Sequence, residues 1–200
     1  MTTTTVSSTP CSKKPERSWR SALGVCVALV SLLTAMPAAA QGITIRNATV
    51  EAGEDGYQLD ADFDIQLSPR LEEAVNRGVA LYFVVEFELT RPRWYWFDEK
   101  PVQLSKTYKI TYTPLLRQYR LTVGNIYQNF TRLEEVVRVL ARVRGWPAAE
   151  KGSLRKEGPY QAQIRMRLDT SQLPKPFQLD AVGSRDWNLS SDWYRWNVTP

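Results

Sequence analysis

Hydrophobic and polar positions alternate strictly from Tyr57 to Leu67. Tyr57, Leu59, Ala61, Phe63, Ile65 and Leu67 interleave with Gln58, Asp60, Asp62, Asp64 and Gln66. A period of two predicts a strand with one buried face and one wet face. The turn Gly53-Glu54-Asp55-Gly56 precedes it, so a hairpin partner is expected from Ile43 to Val50. The same alternation returns at Phe83, Val85, Phe87 and Leu89, with Glu86 and Glu88 on the opposite side. It recurs at Tyr108-Ile110-Tyr112, at Tyr119-Leu121-Val123, and at Ala162, Ile164, Met166 and Leu168 between Gln163, Arg165 and Arg167. The Asp60, Asp62, Asp64 row and the Arg165, Arg167 row would pair across strands if those two strands are neighbours.

Two segments leave this pattern for a helical one. Ser68 followed by Pro69 reads as an N-cap and first helical residue, with a helix through Leu71 to Asn76 that stops at Gly78. Thr131 and Glu134 have capping-box spacing ahead of an apolar stripe of Leu133, Val136, Val137 and Leu140, with Gly145 and Pro147 as the stop. The stripe reads as core packing. Ser171 to Asp186, with Pro174 and Pro176, reads as a loop crossing a sheet edge. The expected fold is mainly β: an antiparallel β-sandwich or curved sheet with two short helices.

The N-terminus carries a different signal. After a polar Thr/Ser tract, Lys13, Lys14, Arg17 and Arg20 precede an apolar run of about 14 residues, Ala22 to Ala35, and then Ala38-Ala39-Ala40. This is the order of a secretory signal peptide cleaved after Ala40. The run is short of the roughly 20 residues a membrane span needs, so residues 1–40 are expected to be a leader and 41–200 a single β-rich domain with no span after cleavage. Lipidation at Cys26 is disfavoured by Val25, where a small residue is expected.

That reading changes the chemistry. Both cysteines, Cys11 and Cys26, lie before the cut, so the mature chain would be held without disulfides. Its charge falls to 22 basic against 20 acidic residues, a balance of +2. With export, this argues against a nucleic-acid partner. Histidine is absent from the whole chain. Ser-His-Asp and Cys-His catalysis are thereby excluded, along with the usual zinc and copper sites, and no phosphate-cradling glycine loop is present. No cofactor is expected. The Asp60, Asp62, Asp64 row lacks the loop that wraps calcium.

Two aromatic clusters stand out. Arg91-Pro92-Arg93-Trp94-Tyr95-Trp96-Phe97 combines cations with four successive aromatics, and Trp187, Trp193, Tyr194 and Trp196 gather near the C-terminus with Asp186 and Asp192. Exposed Trp beside Arg is a recognition surface for glycans, peptides or lipid headgroups, and the competing reading is that the tryptophans fill the core. The candidate binding residues are Arg91, Arg93, Trp94, Trp96, Asp186, Trp187, Asp192 and Trp193.

The runs Leu81 to Trp96, Leu173-Pro174-Lys175-Pro176-Phe177-Gln178 and Ser184 to Trp193 resemble DUF4390, a family of exported proteobacterial proteins. The likeness covers nearly all of the chain after Gly42. It brings no catalytic residues to carry over. It implies an envelope role, with genes near a membrane sensor kinase, and so an envelope protein or such a kinase as partner. The leading expectation is a periplasmic, non-catalytic binding or accessory module. The alternatives are a carboxylate hydrolase acting on envelope polysaccharide, with Asp186 or Asp192 as acid or base, and a purely structural protein.

Overall fold

The strand predicted at Tyr57 to Leu67 forms as β2, Gly56–Gln66, in a computed structural model that describes residues 42–91, 99–154 and 159–199. Leu59, Ala61, Phe63 and Ile65 are buried, while the aspartates between them stay partly exposed. β2 pairs antiparallel with β1, Gly42–Ala52, as the hairpin turn requires. Residues 1–41, which hold the expected leader, and the aromatic run within 92–98 lie outside the described residues.

Nine strands make two antiparallel sheets among the described residues. The remaining strands are β3 (Leu81–Arg91), β4 (Glu99–Thr113), β5 (Gln118–Val123), β6 (Ile126–Phe130), β7 (Arg142–Glu150), β8 (Tyr160–Leu168) and β9 (Tyr194–Val198). The small sheet has the order β1-β2-β7, and the large one β6-β5-β4-β3-β8-β9. The inner face of β3, from Leu81 to Leu89, is shut off from solvent, as are Ala162, Ile164 and Met166 of β8. These residues join Leu59, Ala61 and Phe63 of the small sheet in one buried apolar cluster. The expectation of a mainly β, antiparallel fold is met.

The first helix, α1 (Pro69–Asn76), starts where the sequence places it. Ser68 is fully buried, and its Oγ accepts from the Leu71 amide at 3.2 Å while donating to the Asp186 carbonyl at 2.8 Å. One hydroxyl thus caps the helix and ties it to a segment more than a hundred residues away. The second helix, α2 (Leu133–Leu140), buries Leu133, Val136 and Leu140 as the stripe predicts.

Its ends differ from the sequence reading. Arg132 holds the N-cap position without a side-chain cap, so the Thr131–Glu134 capping box does not form. The helix stops at Leu140 because the Ala141 carbonyl is taken by the Phe63 amide and β7 begins at once. Gly145 therefore does not end a helix. It bulges inside β7 at φ 56°, with its amide donating to Asp60 Oδ1 at 2.7 Å. Pro147 is tolerated because β7 is an edge strand. A third helix, α3 (Lys175–Ala181), forms within the stretch Ser171 to Asp186 that the sequence reads as a loop. Its prolines occupy the N-cap and the first turn, where a missing N–H costs nothing.

The aspartate row does not meet the arginine row, because β2 and β8 belong to different sheets. Asp62 pairs with Arg144, and Asp64 with Arg46 at 2.6 Å.

Gly56 starts β2 at φ 140°, and a Cβ there would collide with the Ala149 carbonyl of β7. Gly56→Ala is expected to cost about 2–3 kcal/mol, combining backbone strain with a steric clash. Urea unfolding would measure it, and an unchanged midpoint would show that β7 can move aside.

Candidate functional site

The central strand of the large sheet sets the site. Alternation along β3 turns Leu81 to Leu89 inward and Glu86 and Glu88 outward. Register then decides their neighbours. Glu86 lies between Ser105 of β4 and Arg165 of β8, and Glu88 between Gln103 and Gln163.

Those neighbours become partners. Glu86 forms ion pairs with Arg165 and, at 3.0 Å, with the diagonal Arg167. Glu88 is 8 % exposed and accepts from Lys100 Nζ at 2.9 Å, Gln163 Nε2 at 2.8 Å and Gln103 Nε2 at 3.3 Å. A buried carboxylate needs such compensation to stay ionised. The Lys100 hydrogen bond is the largest influence and holds the Glu88 carboxyl below its ordinary range; burial opposes it, and the Gln163 bond and the nearby cationic charge reinforce it.

Trp193 closes one side. The chain from Leu189 to Ser191 is stitched onto β8: the Leu168 amide donates to the Leu189 carbonyl, the Ser191 amide to the Met166 carbonyl, and the Met166 amide to Ser191 Oγ. Two residues later the partly exposed Trp193 lies under the Arg165 guanidinium, 4.5 Å from ring centroid to cation. Glu86, Glu88, Gln103, Ser105, Arg165 and Trp193 line a hollow of about 450 Å³.

A larger hollow of about 620 Å³ lies between α1, α2 and β5, lined by Glu72, Asn76, Tyr119 and Glu134 among others. Its one aromatic is already engaged: the Tyr119 hydroxyl donates to Asn76 at 2.6 Å and its ring packs on Tyr112. Burial, then the charges of Tyr112, Glu134 and Glu72, raise the Tyr119 phenol above its ordinary range.

The sequence-predicted residues scatter. Arg93, Trp94 and Trp96 lie outside the described residues. Arg91 ends β3 at partial exposure. Asp186 binds Arg70 at 3.1 Å, on the α1 side of the molecule. Trp187 is buried at 3 % exposure, packed on Phe177 at 5.6 Å between centroids; its indole N–H has no acceptor among the described residues. Asp192 is exposed and, with Trp193, borders a smaller hollow beside Ile43 and Ile45 of β1. Of the described members of the predicted set, Trp193 alone lines the 450 Å³ hollow.

Sequence reasoning placed Glu86 and Glu88 on a solvated strand face, and the structure corrects this: both are engaged by cations. Arg165, Lys100, Gln103 and Gln163 were missed as site residues. The period-two pattern did show Arg165 and Gln163 pointing out, but the strand order that brings β8 beside β3 was not visible.

A family model described as "Domain of unknown function (DUF4390)" matches residues 40–197. The chain belongs to that family. No curated protein and no solved structure matches it.

Replacing Lys100 by Ala removes the main influence that depresses Glu88. A carboxylate with a lowered folded-state pKa stabilises the fold above its unfolded value, and that stabilisation is lost as pH falls through the folded value. In Lys100→Ala the loss should begin at higher pH, so the acid-unfolding midpoint moves up. Carboxyl ¹³C titration of Glu88 checks the cause, and an unmoved titration would rule it out.

Proposed function

We propose that the chain is an exported, non-catalytic binding or accessory module of the cell envelope, acting through the outer face of its large sheet. The observation that carries this reading is the pairing of Trp193 with a fully compensated polar network on the rigid central strands. Side chains fixed by mutual bonds are preorganised, which lowers the cost of binding.

Export rests on the order of basic patch, apolar run and Ala38-Ala39-Ala40 in the leader. Among the described residues no helix is long and apolar enough to cross a membrane. A membrane sensor kinase is the partner that the family resemblance favours.

The same network argues against turnover. A carboxylate acting as general acid needs a raised pKa, whereas Glu88 is pushed the other way and Glu86 is clamped by two arginines. Asp186 is bound to Arg70 and is oriented by α1.

Fractionation of cells expressing the full chain with a C-terminal tag tests the reading. The product should begin at Gln41 and leave with the periplasmic contents, and the purified protein should release no new reducing ends from envelope polysaccharide. An uncut chain in the cytosol, or measurable hydrolysis, would overturn the proposal.

A further inference from the structure

Among the described residues, the charged groups around the Trp193 hollow are already held by partners, including Arg195 on β9, which donates to Gln163 at 3.0 Å. Glu86, Glu88 and Asp169 supply three carboxylates, and Lys100, Arg165 and Arg167 three cations, joined in ion pairs from 3.8 Å down to the close Arg165–Glu86 contact. An anionic ligand would meet Glu86 and Glu88, and a cationic one would meet Arg165. Either would have to displace a partner already held in a partly buried pair, leaving the displaced group uncompensated.

A neutral hydroxylated ligand meets no such penalty. Each carboxylate oxygen can accept more than one hydrogen bond, and the Gln103 amide and the Ser105 hydroxyl, both lining the hollow, offer donors and acceptors. Adjacent sugar hydroxyls match this density of paired sites. Trp193 supplies the apolar surface on which the C–H face of a sugar ring rests, and Arg165 fixes the indole from one side. The polar groups project from β3, β4 and β8, so they need no reordering on binding.

Building on the binding-module reading, we infer that the hollow formed by Trp193, Arg165, Glu86, Glu88, Gln103 and Ser105 is a subsite for a neutral oligosaccharide. Its volume of about 450 Å³ lies within the usual range for small-ligand sites and suits a short segment of about two sugar rings. The site holds the sugar without cleaving it.

Calorimetric titration of the exported protein with chitotriose and cellotriose tests this, alongside polygalacturonate and a polylysine peptide as charged probes. Saturable binding of a neutral trisaccharide is expected. Trp193→Ala should weaken it at least tenfold, and Gln103→Ala several-fold. The Gln103 side chain is exposed, and its bond to Glu88 is long at 3.3 Å, so its variant is expected to keep the parent unfolding curve. The inference is overturned if neither trisaccharide saturates, if both variants bind like the parent, or if a charged probe binds more tightly. A chain that is exported and inert, and binds the outer domain of a sensor kinase but no sugar, would sink this inference alone. A cytosolic or hydrolytic chain would sink the reading beneath it.

Discussion

Two carboxylates ride on the central strand of a six-stranded sheet, and their neighbours on the outer face supply each with cationic partners. Glu88 is nearly enclosed, so it demands Lys100 from the start of β4 and amides from both neighbouring strands. Glu86 draws in Arg165 and Arg167, and Arg165 in turn positions Trp193. On the other side of the same backbone, Leu81, Phe83, Val85 and Phe87 anchor the apolar cluster. β3 is therefore specified twice, by greasy burial on one side and by charge compensation on the other. A register slip by one residue would put glutamates into the core and phenylalanines among arginines.

Much of the fold was legible because it follows from local periodicity. β2 and β8 alternate without interruption, β3 alternates apart from the buried Val84, and α1 announces itself through Ser68-Pro69. The failures share a cause. Gly145 and Pro147 look like helix punctuation, yet β2 offers an open edge that pulls Arg142–Glu150 into a strand. Pro174 and Pro176 look like loop residues until they are seen to open α3. β6 carries no clean apolar alternation because it is an edge strand with little to bury. In each case tertiary pairing, invisible in a window of ten residues, outweighed the local signal.

The site was legible in its parts and not in its assembly. Trp193 stands out by composition, whereas Glu86 and Glu88 are visible in the sequence only as outward residues of a strand. Their union depends on β8 arriving beside β3 from about 80 residues downstream, as the Glu86–Arg165 bond records. Trp187 shares the composition of Trp193 but lies buried against Phe177, since the turn at Arg185–Trp187 is drawn in by Ser68. Nothing in the aromatic cluster itself distinguishes the two.

The strand order also has a kinetic side. β2 reaches its second neighbour only after Arg142 has been made, and β3 only after Tyr160, so neither sheet can close on the N-terminal half alone. Such non-local topology slows folding, because long loops must be ordered before their contacts repay the entropy. A polypeptide whose two sheets stay incomplete until its last third emerges spends longer exposing unpaired strand edges to its surroundings.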